Sequence, residues 1–528
     1  VKSDELHVRT KTSLELTREE SSLKYDVIVV GSGSGGGAVA ARLSEDPGRS
    51  VLLLEAGPDY PDIDSLPSDL KFNHGTGTDL AVGGDHDWQF TGTATAEAPP
   101  MSVPRGRVTG GTSAINGSVF LRGLPEDFDD WASWGNDEWS YEKVFPFFNK
   151  LETDTDYTGD HHGSDGPILV RRFMPDELMD DQAAFTEACR DAGYADSPDH
   201  NHPESTGIGP LPLNNPNDIR WSTSIGYLSP ARHRMNLTIR SNCTAQKLVF
   251  DGQRATGVVV ESAGETFTVM ADEIVLSTGP IASPQLLMLS GIGPADHLTE
   301  LGIPVVVDSP GVGQNLRDHV TVHTHWHARD DFPMPGTDVG PQKVALRYTA
   351  TGSDLRNDMI TVMRWNSPER LIVMSAGLYL ARSSGELRLT STDVSVQPKL
   401  NYNYLDDESD VDRLRGGVRL NLKLAEHKSF EPIIGDLMDP TPDDVETDDK
   451  LDAWMRKNVQ TMHHISGTAK MGPDSDPMAV LDQHCRVKGV QGLRVADGSV
   501  MPDCIRANTN ATIIMIGERV ADFIRAAD

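Results

Sequence analysis

Three glycines, Gly31, Gly33 and Gly36, stand in G-x-G-x-x-G spacing, and a carboxylate, Glu55, follows 19 residues after the last of them. The chemistry open to this pattern is the holding of an adenine dinucleotide. Gly31 permits a tight turn, Gly33 lets a pyrophosphate approach the backbone, and Gly36 lets a helix pack closely on a strand. Free N–H groups at the start of that helix suit phosphate oxygens. Glu55, followed by Ala56, can accept hydrogen bonds from a ribose diol and would repel a 2′-phosphate. The motif alone does not separate NAD from FAD.

Other residues able to do chemistry lie far along the chain. A second glycine-rich stretch, Pro104 to Gly117, exposes backbone as the first does, so the expected ligand is large and extended. Asp497 ends an apolar strand, and Asn508-Thr509-Asn510 precedes an amphipathic helix whose positive N-terminal end suits an anion. The adjacent His463 and His464 carry the side chain whose ordinary pKa lies nearest neutrality. Residue chemistry alone leaves a base and a structural histidine both open. His319, His323, His325 and His327 alternate along one strand face; with no cysteine or carboxylate pair beside them they are expected to be solvated, and no metal is expected. The four cysteines, Cys189, Cys243, Cys485 and Cys504, form no C-x-x-C pair and are expected to be buried free thiols.

The elements that must position these groups follow from hydrophobic pattern. Asp26 to Val30, a helix over Ala38 to Leu43 and Ser50 to Leu54 form an opening strand, helix and strand. Pro58 to Pro104 has little periodicity and is expected to be loop-rich. Strands are expected at Asn236 to Arg240, Gln246 to Phe250, Gly257 to Val260, Phe267 to Val269 and Glu273 to Leu276, with a helix at Ser283 to Leu289. Beyond His319 the pattern is mostly strands, with Leu371 to Leu380, Glu386 to Thr390 and Pro398 to Tyr404 the clearest. One long helix is expected at Ser409 to Glu426 and a last at Ala511 to Ala527.

At 528 residues the chain is long enough for two or three domains or one large one. Its net charge of −32 argues against nucleic acid and anionic membrane surfaces as partners. No apolar run approaches the roughly 18 residues of a membrane span. Val1 to Leu23 has no apolar core of the kind a secretory signal needs, so it reads as an extension and the expected location is cytoplasmic.

Taken together and in order, several segments resemble the glucose-methanol-choline (GMC) family of FAD oxidoreductases. They are Gly31 to Gly36 with Glu55, Gly106 to Gly117, Gly279 to Gly293, Gly311 to His319, and His464-Ile465-Ser466-Gly467-Thr468 followed by Asp497 and Asn508. The resemblance runs from Tyr25 to the C-terminus and selects FAD over NAD. It implies an α/β chain, α+β overall, with a Rossmann-like FAD-binding domain (24–150, 238–318 and 455–528) after the extension 1–23. Interleaved with it is a substrate-binding domain (151–237 and 319–454), whose antiparallel sheet roofs the flavin. By position, the resemblance gives Gly33, Ser34, Gly35 and Gly36 to the pyrophosphate, Glu55 to the adenosine ribose and the Ala245 backbone to the adenine, with Gly31 and Ala56 also among the cofactor-binding residues. Val108, Gly110, Asn116 and Gly117 would lie along the flavin, with Asp497, Thr509 and Asn510 near its ribityl and pyrimidine parts. Some members attach FAD through a histidine just before the asparagine at position 116. Ile115 stands there, so FAD is expected to be non-covalent and Ile115 to face substrate.

The reaction implied is FAD-dependent oxidation of an alcohol to an aldehyde or ketone. The carbon gives a hydride to flavin N5, and the hydroxyl proton goes to a base, the role the resemblance assigns to His464. Asn508 stands at the family's second catalytic position, where its amide would hold the substrate oxygen. Asn510 is its rival, with helix capping a sufficient structural explanation. His463 stands where relatives often carry an aromatic residue and is expected to line the substrate pocket. The expected partners are a small-molecule alcohol and oxygen or another electron acceptor. The alternative is a non-redox lyase of the hydroxynitrile lyase type that keeps FAD as a structural part. A third reading, a flavin-binding protein without turnover, sits poorly with His464 and Asn508 both present.

Overall fold

The computed structural model describes residues 24–73, 82–336, 340 and 342–527; the expected extension 1–23 lies outside the described residues. The apolar run ending at Val30 forms the strand Lys24–Val30, whose last four residues are buried, as a strand covered on both faces requires. Val51–Leu54 pairs with it on one side and Glu265–Leu276 on the other, both parallel. Leu237–Arg240 and Leu493–Val495 extend this parallel layer at its two edges. The N-terminal half of Glu265–Leu276 also carries an antiparallel hairpin, Thr244–Asp251 with Arg254–Ser262. Gly31, Glu55, Ser277 and Ala496 each follow the end of a parallel strand, so all four stand at the edge where open parallel sheets bind ligands.

Two helices start earlier than hydrophobic pattern suggests. The first runs Ser34–Leu43 and includes Gly35, Gly36 and Gly37, poor helix formers that packing overrides. A side chain at Gly35 would run into the Ala496 carbonyl, and one at Gly36 into the Gly31 carbonyl. The other runs Gly279–Leu289, with Pro280 in its first turn, where proline's missing N–H costs nothing. The last helix is Thr509–Arg525, and it packs along the first.

The second sheet is antiparallel throughout. Its order is Ile434–Asp439, Val320–Ala328, Leu371–Leu378, Met359–Asn366, Val344–Tyr348 and Gly207–Pro210, with Gln460–Thr461 also pairing Val320–Ala328. The long helix, Glu408–Ala425, covers one face, where Gly417 meets Met359 and Ala376. The next residues along those strands, Ile360 and Ser375, point the other way and line a cavity. The expected strands at Glu386 to Thr390 and Pro398 to Tyr404 shorten to the pair Glu386–Arg388 and Lys399–Asn401. All four cysteines are free and buried, and no described helix is long and apolar enough to cross a membrane.

Candidate active site

Between the parallel-strand ends and the open face of the antiparallel sheet lies a cavity of about 970 Å³, at the large end of the range for small-molecule sites. Gly31, Gly33, Ser34 and Gly35 line it, with Glu55 and Ala56 beside them. Ile115, Asn116, Gly117 and Ala245 line a further part, and Asp497, Thr509 and Asn510 the ground between. Three expected residues do not line it. Gly36 is turned against Gly31 and Ser277, Val108 is buried with Leu70, Ala114 and Ile115, and Gly110 donates its N–H to Ser32 Oγ. Each supports the wall from behind.

Three helices begin at this cavity: Ser34–Leu43, Gly279–Leu289 and Thr509–Arg525. None has a side-chain cap and none has an acid in its first turn. Every other described helix of eight or more residues begins with at least one acid. In so acidic a chain, the three exceptions mark where an anion belongs. Asn510 is not the cap expected of it. It is the second residue of the last helix, and its Oδ1 accepts from Ser34 Oγ at 2.7 Å, joining the first and last helices. Its Nδ2 is buried without a partner, a donor left for a ligand.

The two carboxylates are more committed than their expected roles suggest. Glu55 accepts at one oxygen from Ser32 N and Oγ (3.1 and 2.6 Å) and at the other from Gly57 N (2.9 Å). Asp497 accepts from Gly279 N (2.9 Å) and Ser283 Oγ (2.6 Å) with one oxygen and from Ser499 with the other, pinning a helix start to a strand end. Burial raises both pKa values, and these hydrogen bonds oppose it.

His464 is 9% exposed and sits at the junction of the two sheets. Its Nδ1 lies 2.9 Å from Nδ1 of His319, and His319 Nε2 lies 2.7 Å from the Ile505 carbonyl. A carbonyl only accepts, so His319 Nε2 carries the hydrogen and its Nδ1 the lone pair. His464 Nδ1–H must then donate to it, which places the His464 lone pair on Nε2. There the Asn508 Nδ2–H donates at 3.0 Å. His319 is therefore not the solvated histidine expected from its alternation. It is fully buried, because it leads into an interior strand and its ring packs against Tyr379 and His464 and bonds the Ile505 carbonyl. Of its companions, His323 lines the cavity, His325 is half-buried near Asp439, and only His327 is exposed.

Asp318, next to His319, organises both histidines. It accepts from the backbone N–H groups of His319 and His464 (2.8 Å each) and from the Tyr404 and Thr461 hydroxyls. His463 has φ +67°, a left-handed conformation costing roughly 1–2 kcal/mol for a side chain of this kind. The turn it makes breaks strand alternation, so that Met462, His463, His464 and Ile465 all reach the cavity. Burial pushes His319 and His463 down to about 3 and His464 well below its ordinary value, with His319, His463 and Arg105 adding to the effect on His464. All three imidazoles are neutral at physiological pH.

Compared with known proteins, the chain matches the two GMC oxidoreductase family models, the N-terminal one over residues 25–321 and the C-terminal one over 381–517. The chain belongs to the GMC oxidoreductase family. Among curated relatives, an uncharacterised GMC-type oxidoreductase of Rhodococcus erythropolis is 37% identical over 94% of this chain and 97% of the relative. An oxygen-dependent choline dehydrogenase of Vibrio vulnificus is 34% identical over 95% of this chain and 94% of its own. Among solved structures, pyridoxine 4-oxidase from Mesorbium loti superposes with a TM-score of 0.89 at 27% identity, over 95% of this chain and 99% of that one. This GMC protein is thus an FAD-dependent oxidoreductase with the mixed α/β fold of the family. Three uncapped helix starts and an unpartnered Asn510 amide suit a cofactor that carries a pyrophosphate and ring carbonyls.

Sequence reading missed Asp318, His319, Arg105 and His323 as site residues, although Asp318-His319 closed a segment already singled out. The tautomer argument gives a test. In this GMC oxidoreductase, His319→Leu removes the acceptor for His464 Nδ1–H, so the imidazole can present N–H rather than a lone pair at Nε2. Flavin reduction should slow about 10-fold or more with little change in KM, as for loss of one charge-assisted hydrogen bond. His319→Asn, whose amide oxygen replaces the Nδ1 acceptor, should restore part of the rate. Equal rates in the two variants would remove His319 from this role.

Proposed function

We propose that this protein oxidises an alcohol to an aldehyde or ketone, with His464 as general base. The observation that carries the reading is the fixed lone pair on His464 Nε2, facing the cavity with the Asn508 amide beside it. An alcohol O–H approaching Nε2 takes the place where Asn508 now donates. His464 receives the hydroxyl proton, and Asn508 Nδ2–H turns to the oxygen and favours its alkoxide form. Non-covalent FAD, which the glycine turn and the three helix starts would hold, would supply the acceptor for the hydride. Ile115, at the position where some members have a reactive histidine, offers no atom for covalent attachment.

The test is an anaerobic titration of the yellow holoenzyme with a panel of alcohols, followed by admission of air. Bleaching by an alcohol supports the reading, and recovery in air identifies oxygen as an acceptor. A flavin that stays oxidised while a cyanohydrin is cleaved would replace it with the lyase reading. Asn508→Ala should slow bleaching by about 10- to 100-fold, less than loss of the base, as removal of one hydrogen bond to a developing charge does. Unchanged bleaching in that variant would take Asn508 out of the mechanism.

A further inference from the structure

The loop 391–397 joins the short strands Glu386–Arg388 and Lys399–Asn401. Asp393, Val394, Ser395 and Gln397 line the cavity, while Asp393 and Ser395 are also exposed to solvent, so here a single pass of chain separates the two. Two glutamine side chains fasten it. Gln285, 4% exposed in the helix Gly279–Leu289, donates through Nε2 to the carbonyls of Val394 and Val396 (3.1 Å each). Two carbonyl acceptors fix which way the amide points. Gln397 reaches the opposite side. Its Oε1 accepts from Thr91 N (3.0 Å) and its Nε2 donates to Thr91 O (2.9 Å), pairing with the strand Phe90–Gly92 as a neighbouring strand would. The loop thus arches from a helix to a strand that both border the cavity, at Gln285 and at Phe90.

Between these fastenings the loop holds its own shape. Asp393 Oδ1 accepts from Ser395 N and Oγ (2.9 and 2.8 Å), and Val396 N donates to the Asp393 carbonyl (3.1 Å). Its base is stitched to the chain after Phe90–Gly92 by Thr93 N to Leu400 O and Tyr402 N to Thr93 O (2.9 Å each). Apolar burial contributes little, since Val396 is 42% exposed and Val394 half-buried. A stiff turn on a fixed base, fastened by four side-chain hydrogen bonds rather than by packing, opens at lower free energy than the sheets beside it. Its place is beside the dinucleotide. The helix carrying Gln285 is one of the three whose uncapped start suits an anion, and it packs against Thr244–Asp251, the strand of Ala245. A cavity that encloses a cofactor of this length needs a stretch of wall that opens to admit it.

We propose that the loop 391–397 is a clasp over the FAD site, latched by Gln285 and Gln397, and that its opening sets the rates at which the cofactor enters and leaves. The clasp acts on the cofactor, so it holds whatever the substrate.

Gln285→Leu and Gln397→Leu each remove two of the four latching bonds with little change in side-chain volume. FAD release, followed as the rise of free flavin fluorescence after dilution of the holoenzyme, should quicken at least about 10-fold in each. Uptake of FAD by the apoprotein should quicken as well, which a damaged fold would not do. The wild-type chain gives a second readout that needs no variant. Thr91 N–H is held by the latch and Thr93 N–H by the fixed base, so removing FAD should speed deuterium exchange at Thr91 at least about 10-fold more than at Thr93. Unchanged release in both variants overturns the clasp even if kcat/KM shifts, since the loop would then gate substrate. Faster release without faster uptake, or a Thr91 response no larger than that of Thr93, overturns it too.

Discussion

Replacing His464 by alanine should leave a yellow protein whose flavin is reduced by alcohol at least about 10²-fold more slowly, the low end for loss of a general base. The cofactor should stay because the groups suited to hold it, the helix starts and the Asn510 amide, lie on other segments. The pH profile adds a second, sharper expectation. A base works only unprotonated, and burial with the charges of its neighbours holds His464 well below its ordinary 6.5. The wild-type reduction rate should therefore stay level down through pH 6.5 and fall only at lower pH, and the alanine variant should lack that acid limb. Stability follows the same sign. Histidines with lowered native pKa are protonated more readily in the unfolded chain, so their contribution is complete above about pH 6.5 and is lost as pH falls toward 3. A wild-type acid limb centred at or above 6.5, or a variant that still bleaches at full rate, would end the assignment.

Gly36→Ala should cost the protein its cofactor. The added Cβ would overlap the Gly31 carbonyl and lie 2.8 Å from the Ser277 Cβ, both at the ends of paired parallel strands that cannot give way. Relief requires the first helix to lift off the sheet, which moves the N–H groups of Ser34 and Gly35 from the cavity wall and the Ser34 hydroxyl from Asn510. Overpacking of this kind typically costs about 1–3 kcal/mol of stability. Flavin content per purified chain should fall severely, with added FAD failing to restore it at concentrations that saturate the wild type. Gly416→Ala is the control. It lies inside the helix Glu408–Ala425 with nothing within 4 Å of the new methyl, so it should be neutral or gain up to about 1 kcal/mol from helix propensity. Visible absorbance and a denaturant curve on both variants give the comparison, and a Gly36→Ala protein with full colour and unchanged midpoint would refute it.

Local features were legible in the residues themselves. The strand before Gly31, the glycine spacing and Glu55 all appear where pattern places them, because buried parallel strands and tight phosphate-binding turns demand particular residue types within a few positions. The antiparallel strand Leu371–Leu378 and the helix Glu408–Ala425 were readable for the same reason, a sustained hydrophobic period. Helix starts were less so. Glycines in Ser34–Leu43 read as loop, since their helical state depends on a sheet that lies outside the local window.

The order of the motifs along the chain was enough to determine an FAD oxidoreductase of the GMC family and to single out His464 and Asn508, because each motif answers a local backbone or side-chain requirement. Only the tertiary structure decided that His319 is buried against His464 from 145 residues away, that Asp318 holds both backbones, and that Asn510 ties the first helix to the last. A tautomer or a depressed pKa belongs to groups brought together by folding. No single segment contains the partners that set it.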